Sequence, residues 1–165
     1  MFAWIRRTLV VAAALSVATP FAASAQSADP RLDRLKDEAV RLVEGRSKLV
    51  QEIIDQLYSF GELGMQEFET QRYVTDLLRK EGFTVELGVA GIPSSWIARW
   101  SNGSGRPVIA LGSDVDGIPQ SNQKPGVGYR DPILSMAPGH GEGHNSGQAV
   151  NIVGALAVKE IMRRE

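Results

Sequence analysis

Pro107-Val108-Ile109-Ala110-Leu111-Gly112, followed by Ser113-Asp114-Val115-Asp116-Gly117-Ile118-Pro119, is the stretch whose reading decides the fold. A short all-apolar run bounded by proline and glycine reads as a strand buried on both faces. Strands of that kind lie in α/β sheets covered by helices, where ligands bind beyond the carboxyl ends of the strands. Asp114 and Asp116 stand where this strand should end. In an extended chain, residues at i and i+2 face the same way. One carboxylate can then ligate a metal while the other accepts the second N–H of a ligating histidine. The plainer reading is an Asp-Gly turn whose carboxylates bond to local amides.

Downstream, the run Pro138-Gly139-His140-Gly141-Glu142-Gly143-His144-Asn145-Ser146-Gly147 contains both histidines of the chain, with a carboxylate midway between them. If extended, His140, Glu142 and His144 all point to one side and can converge on one point. Imidazole and carboxylate suit zinc first, with manganese, cobalt or nickel as alternatives. Two other readings remain. The run can be a Gly-rich loop whose polar residues face water and cap the next helix. A phosphate cradle is weaker, because neither G-x-G-x-x-G nor the P-loop spacing is present.

Working outward, apolar residues from Arg31 to about Tyr58 recur at helical spacing, with Gly45 as a candidate break. A second helix is expected from Gln66 to Lys80, carrying Phe68, Tyr73, Val74, Leu77 and Leu78 inward, with Gly82 just past its end. Residues 83–87 and 95–100 change to strand chemistry. From Pro119 to Pro138 the chain lacks a period and reads as an ordered surface loop, a length usually functional or disordered. A last helix is expected from Gly147 to Arg164, capped by Asn145 or Ser146, with Val150, Val153, Leu156, Ala157 and Ile161 on its buried face. The fold class is therefore α/β.

The start of the chain, residues 1–25, has Arg6 and Arg7, an apolar run from Leu9 to Val17 too short to span a bilayer, and a small-x-small site at Ala23-Ser24-Ala25. It predicts a secretory signal peptide, leaving residues 26–165 as one domain that is periplasmic or secreted and free of the membrane after cleavage. With 18 basic and 19 acidic residues and a net charge of −1, the chain offers nothing to nucleic acid. There is no cysteine, so packing alone must hold the fold, and no thiolate can serve as nucleophile or metal ligand. Neither G-x-S-x-G nor S-x-x-K is present.

Taken together, E-L-G-M-Q-E at 62–67, G-S-D-V-D-G-I-P at 112–119 and G-H-G-E-G-H-N-S-G at 139–147 resemble the metal-dependent amidohydrolases and exopeptidases related to aminoacylase, carboxypeptidase G and the aminobenzoyl-glutamate hydrolases. The resemblance runs from about residue 40 to the end. It implies a catalytic domain with a mixed sheet flanked by helices, two divalent ions, and hydrolysis of the amide of a small peptide or N-acyl amino acid by metal-activated water. It implies that Asp116 is the catalytic-site aspartate that orients a metal ligand, and that Asp114, Glu142 and His144 are ligands. His140 matches a histidine just before the last pair. Glu142 stands where related enzymes have cysteine, which makes the site harder and less thiophilic. The family's general base and later ligands lie downstream of the positions matched here, as does a dimerisation domain through which full-length forms can be homodimers. The expectation is thus an incomplete zinc-exopeptidase-like domain, the front portion of a larger hydrolase. A non-catalytic metal- or partner-binding fragment is the alternative.

Overall fold

The computed structural model describes residues 29–104 and 106–165. The expected signal peptide, residues 1–25, lies outside the described residues. Among the described residues no helix is long and apolar enough to cross a membrane.

The long amphipathic segment breaks at Gly45 into two helices, α1 (Pro30–Glu44) and α2 (Ser47–Phe60). Asp29 caps α1, its carboxylate accepting from the Arg31 N–H at 2.9 Å, and Pro30 occupies the first turn, where no N–H is needed. Helix α2 buries Ile53 and Leu57 and ends at Gly61, whose φ of 53° is the left-handed conformation that glycine adopts without a Cβ penalty. Helix α3 follows (Phe68–Lys80), then an antiparallel pair, β1 (Thr84–Leu87) and β2 (Trp96–Arg99), registered from Thr84 opposite Arg99 to Leu87 opposite Trp96. Helix α4 (His144–Arg164) closes the chain.

The core is the seam between α2, α3 and α4. Ile53, Leu57, Val74, Leu78, Ala149, Ile152, Val153 and Leu156 are buried together, with Phe83, Val85, Trp96 and Ala98 packed against them from the sheet side. Helix α1 buries no residue. It is tied to the end of α4 by exposed ion pairs, Arg31 and Arg34 with Glu165 at 2.9 and 3.0 Å and Arg164 with Glu38, which contribute little individually.

The structure differs from the sequence expectations at definite places. The architecture is α/β, but among the described residues the sheet has two antiparallel strands rather than a mixed set. Residues 107–112 form no strand. Among the described residues no backbone hydrogen bond reaches residues 107–111 from the backbone, and Val108, Ile109 and Leu111 are 86%, 62% and 52% exposed. Apolar β-branched composition describes a residue's preference, whereas a strand needs a neighbour to satisfy its N–H and C=O groups. Phe68, expected inward, is exposed, because a first-turn side chain points back past the start of its helix. Val150 is exposed as well: the buried stripe of α4 runs through Asn145, Gln148, Ala149, Ile152, Val153, Leu156 and Ala157, and Val150 lies about 100° off Ala149. Helix α4 begins earlier than expected, with Gly143 at its cap; Asn145 turns inward to donate to the Ile54 carbonyl at 3.3 Å.

Three backbone segments cross at glycines beneath the N-terminus of α4. The Gly117 N–H donates to the Glu62 carbonyl at 2.6 Å, and Ile118 and Gly139 exchange two hydrogen bonds at 2.8 and 3.1 Å. A Cβ on Gly117 would meet the Glu62 carbonyl oxygen at 3.1 Å, and one on Gly139 would lie 2.5 Å from the Ser121 carbonyl oxygen. The 117–138 loop is internally bonded, Asn122 to Ala137 and Lys124 to Asp131 through the backbone, and the Tyr58 hydroxyl donates to the Gln123 carbonyl. Glu62 also caps α3 from outside the helix, accepting from the Glu69 and Thr70 N–H groups at 2.9 and 2.8 Å.

Gly139→Ala is expected to destabilise the protein by about 1–3 kcal/mol through forced backbone displacement. Gly154→Ala, in the α4 interior with open space around the new methyl group, should stabilise it by about 0.4–1 kcal/mol. Glu62→Ala should cost about 0.5–2 kcal/mol through the lost cap. Urea unfolding of the three variants beside the parent checks all three values.

Candidate metal centre

The glycine crossing delivers the site residues. Asp116 immediately precedes Gly117, and His140 immediately follows Gly139. His144 is the first residue of α4, with Glu142 in the bend before it. On the other side, the 62–67 turn packs against Asp116: a Cβ on Gly64 would lie 3.8 Å from the Asp116 carboxylate. Asp114 follows the exposed apolar stretch, whose end is held to α4 by a hydrogen bond from the Asn151 amide to the Gly112 carbonyl at 3.0 Å.

Three carboxylates surround the His144 ring. Its Nε2 lies 2.9 Å from Glu142 Oε2 and 3.3 Å from Asp114 Oδ1, and its Nδ1 lies 3.0 Å from both the carboxylate and the backbone carbonyl of Asp116. Asp114, Asp116 and His144 each present a donor atom within 4.8 Å of the others. The ring is mostly covered, with 21% of the side chain exposed, while Glu142 and Asp114 open to solvent at 61% and 72%. Burial disfavours a charged imidazole here. The Asp116 carbonyl and the Asp114, Asp116 and Glu142 carboxylates outweigh it, and they raise the His144 pKa above 6.5.

His140 is placed differently. Its Nε2 donates to the Leu57 carbonyl at 3.0 Å, at the end of α2, and its Nδ1 is buried without a hydrogen-bond partner. Burial depresses its pKa, against a smaller rise from the Leu57 carbonyl, and proximity to His144 lowers it further. The extended geometry that would align His140 with Glu142 and His144 is not adopted, because the chain bends at 141–142 before entering α4. Glu142 and His144 come together with Asp114 and Asp116, whereas His140 is spent on anchoring the loop to α2. Glu160 and Glu165 are paired with arginines at the far end of α4.

The donor set fits a divalent ion. Two ring nitrogens face opposite ways: the Asp116 carbonyl can only accept, so Nδ1 keeps its proton, and Nε2, beside Asp114 and Glu142, is the nitrogen that could exchange a proton for a metal. An imidazole nitrogen with carboxylate oxygens and no sulfur is a borderline-to-hard ligand set. Two contributors carried no local signal in the sequence. Glu62 caps a helix seven and eight residues away rather than from the cap position, and the Leu57 carbonyl is a backbone group that any residue would supply.

No family model matches the chain, and no solved structure matches it. Two curated proteins do. Over 127 residues, 77% of this chain and 25% of the relative, it is 32% identical to a p-aminobenzoyl-glutamate hydrolase subunit of Escherichia coli (strain K12). Over 126 residues, 72% of this chain and 31% of the relative, it is 29% identical to thermostable carboxypeptidase 1 of Saccharolobus solfataricus. The chain thus spans between a quarter and a third of these relatives, and the two partial matches support a relationship to the hydrolases and peptidases after which they are named.

Proposed function

We propose that Asp114, Glu142 and His144 hold a divalent metal ion, zinc first among the candidates, and that the chain serves an exported amidohydrolase or peptidase acting on a small peptide or N-acyl amino acid. The observation that carries this reading is the convergence of three carboxylates, from segments far apart in sequence, on the two nitrogens of one imidazole. The named activities of the two relatives support the substrate class, and the leader pattern of residues 1–25 supports export.

Each side chain has a role in that chemistry. Asp116 is a positioning residue: its carbonyl takes the Nδ1 proton of His144 and its carboxylate lies equally close, which fixes the tautomer and the ring plane. Glu142 and Asp114 supply anionic oxygens on the solvent side, where substrate arrives. His140 stays neutral and holds the Gly-rich loop against α2. A bound divalent ion would supply Lewis acidity toward the scissile carbonyl and lower the pKa of a coordinated water.

The exposed Pro107–Gly112 stretch favours a second reading, a metal- or partner-binding protein without turnover. Titration calorimetry with zinc and with manganese, followed by assay of the loaded chain on short peptides and N-acyl amino acids, separates the two. Stoichiometric binding is expected, and chelator-sensitive hydrolysis by the loaded chain would select the first reading. Binding without hydrolysis would select the second reading, and no binding by a folded chain would sink the metal site in both.

In the same titration, His144→Ala should abolish binding, and Asp116→Asn should weaken it by about 10- to 100-fold with the helical signal unchanged. Affinity should also fall on acidification, because a metal must displace a proton that the surrounding carboxylates hold more firmly than usual. Repeating the titration at lower pH checks the sign.

A further inference from the structure

We propose that His140 and Asn145 form a two-point clamp that sets Glu142 and His144 in metal-binding position, with helix α2 as the template; the inference rests on the metal site proposed for these ligands. The two residues bracket the ligand pair in sequence and reach the same helix. His140 Nε2 donates to the Leu57 carbonyl at 3.0 Å, and Asn145 Nδ2 donates to the Ile54 carbonyl at 3.3 Å. Ile54 and Leu57 are three residues apart, so both carbonyls lie on one side of α2 within a single turn. The anchorage is also rigid: the Leu57 side chain is fully buried in the core, and Asn145 is only 6% exposed.

The loop needs such a clamp because its own backbone holds it weakly. Among the described residues, 140–142 make no backbone hydrogen bond to another segment; the Gly141 N–H is bonded only to the Gly139 carbonyl, two residues back. Glycines at 141 and 143 flank Glu142 and widen the range of conformations open to it. Upstream, the glycine crossing fixes residue 139, and downstream α4 begins at His144. The contact between Glu142 Oε2 and His144 Nε2, at 2.9 Å, spans the weakly held stretch. A donor on each side of that stretch, tied to one helix, removes the freedom that the glycines add. The acceptors suit the task, since carbonyls near a helix C-terminus carry the negative end of the dipole. Both side chains act through Glu142 and His144, which makes them positioning residues.

Zinc titration calorimetry on the purified full chain compares the parent with three variants: His140→Phe, which keeps a ring but no donor, His140→Gln, whose amide can donate to the Leu57 carbonyl, and Asn145→Ala. His140→Phe and Asn145→Ala should each weaken zinc binding by about 10- to 100-fold, and His140→Gln should recover most of the loss. Amide hydrogen exchange on the metal-free chain reads the clamp without the ion. There His140→Phe should speed exchange at Gly141, Ser146 and Gly147 and leave Ile152, Val153 and Leu156 of the core unchanged, with His140→Gln close to the parent. Parental zinc affinity in His140→Phe or in Asn145→Ala, or equal losses in His140→Phe and His140→Gln, would overturn the clamp. If the parent itself binds no zinc, the metal reading fails and the exchange pattern decides the clamp alone: faster exchange confined to residues 141–147 supports it, and parental exchange overturns it.

Discussion

The close approach of three backbones at Gly61, Gly117 and Gly139 is the constraint on which the site depends. Side chains at these positions would collide with main-chain atoms: a Cβ on Gly61 would meet the Pro138 carbonyl oxygen at 3.1 Å, and one on Gly139 would be nearer still to Ser121. Without side chains, the segments around residues 62, 117 and 139 hydrogen-bond as a miniature ladder. That ladder carries Asp116 on one strand and His140 on another, and it leads the chain into α4 with His144 at the first helical position. The chemistry is assembled by backbone contact, and the carboxylates then need only their ordinary rotamer freedom to reach the ring.

The two histidines show how differently one loop can treat the same side chain. His144 sits among three carboxylates, which outweigh the effect of burial and favour its charged form. His140, two residues before Glu142, points away into α2, where burial favours the neutral ring and a helix-terminal carbonyl accepts its proton. A proton-binding and a proton-shedding imidazole thus stand four residues apart. The difference arises from what each ring faces rather than from its neighbours in sequence.

Around the site the packing is uneven. The α2–α3–α4 seam is closed and apolar, whereas the stretch from Pro107 to Gly112 lies bare and α1 has no fully buried residue. The chain spans a quarter to a third of its matched relatives, and those relatives are named as a hydrolase subunit and a carboxypeptidase. The bare strand-like segment runs directly into Asp114 and Asp116 of the His144 cluster, and Asn151 on α4 holds it at Gly112.

Much of this was legible in the sequence. Helices α2, α3 and α4 and the β1–β2 pair follow from periodicity, because a local repeat needs no knowledge of distant partners. The crowding of His, Glu and Asp in Gly-rich segments identified the cluster, and the match of Glu142 and His144 with Asp114 and Asp116 was visible as motif order. What the sequence could not supply was direction and pairing. Whether residues 107–112 become a strand depends on a neighbour elsewhere in space, whether Val150 or Ala149 faces inward depends on where α2 lies, and whether His140 turns toward the carboxylates or toward Leu57 depends on a bend at 141–142. Composition and spacing determined which groups this protein has for its chemistry; the tertiary structure decided which of them meet, because contact between residues far apart in the chain is set by packing geometry and not by local preference.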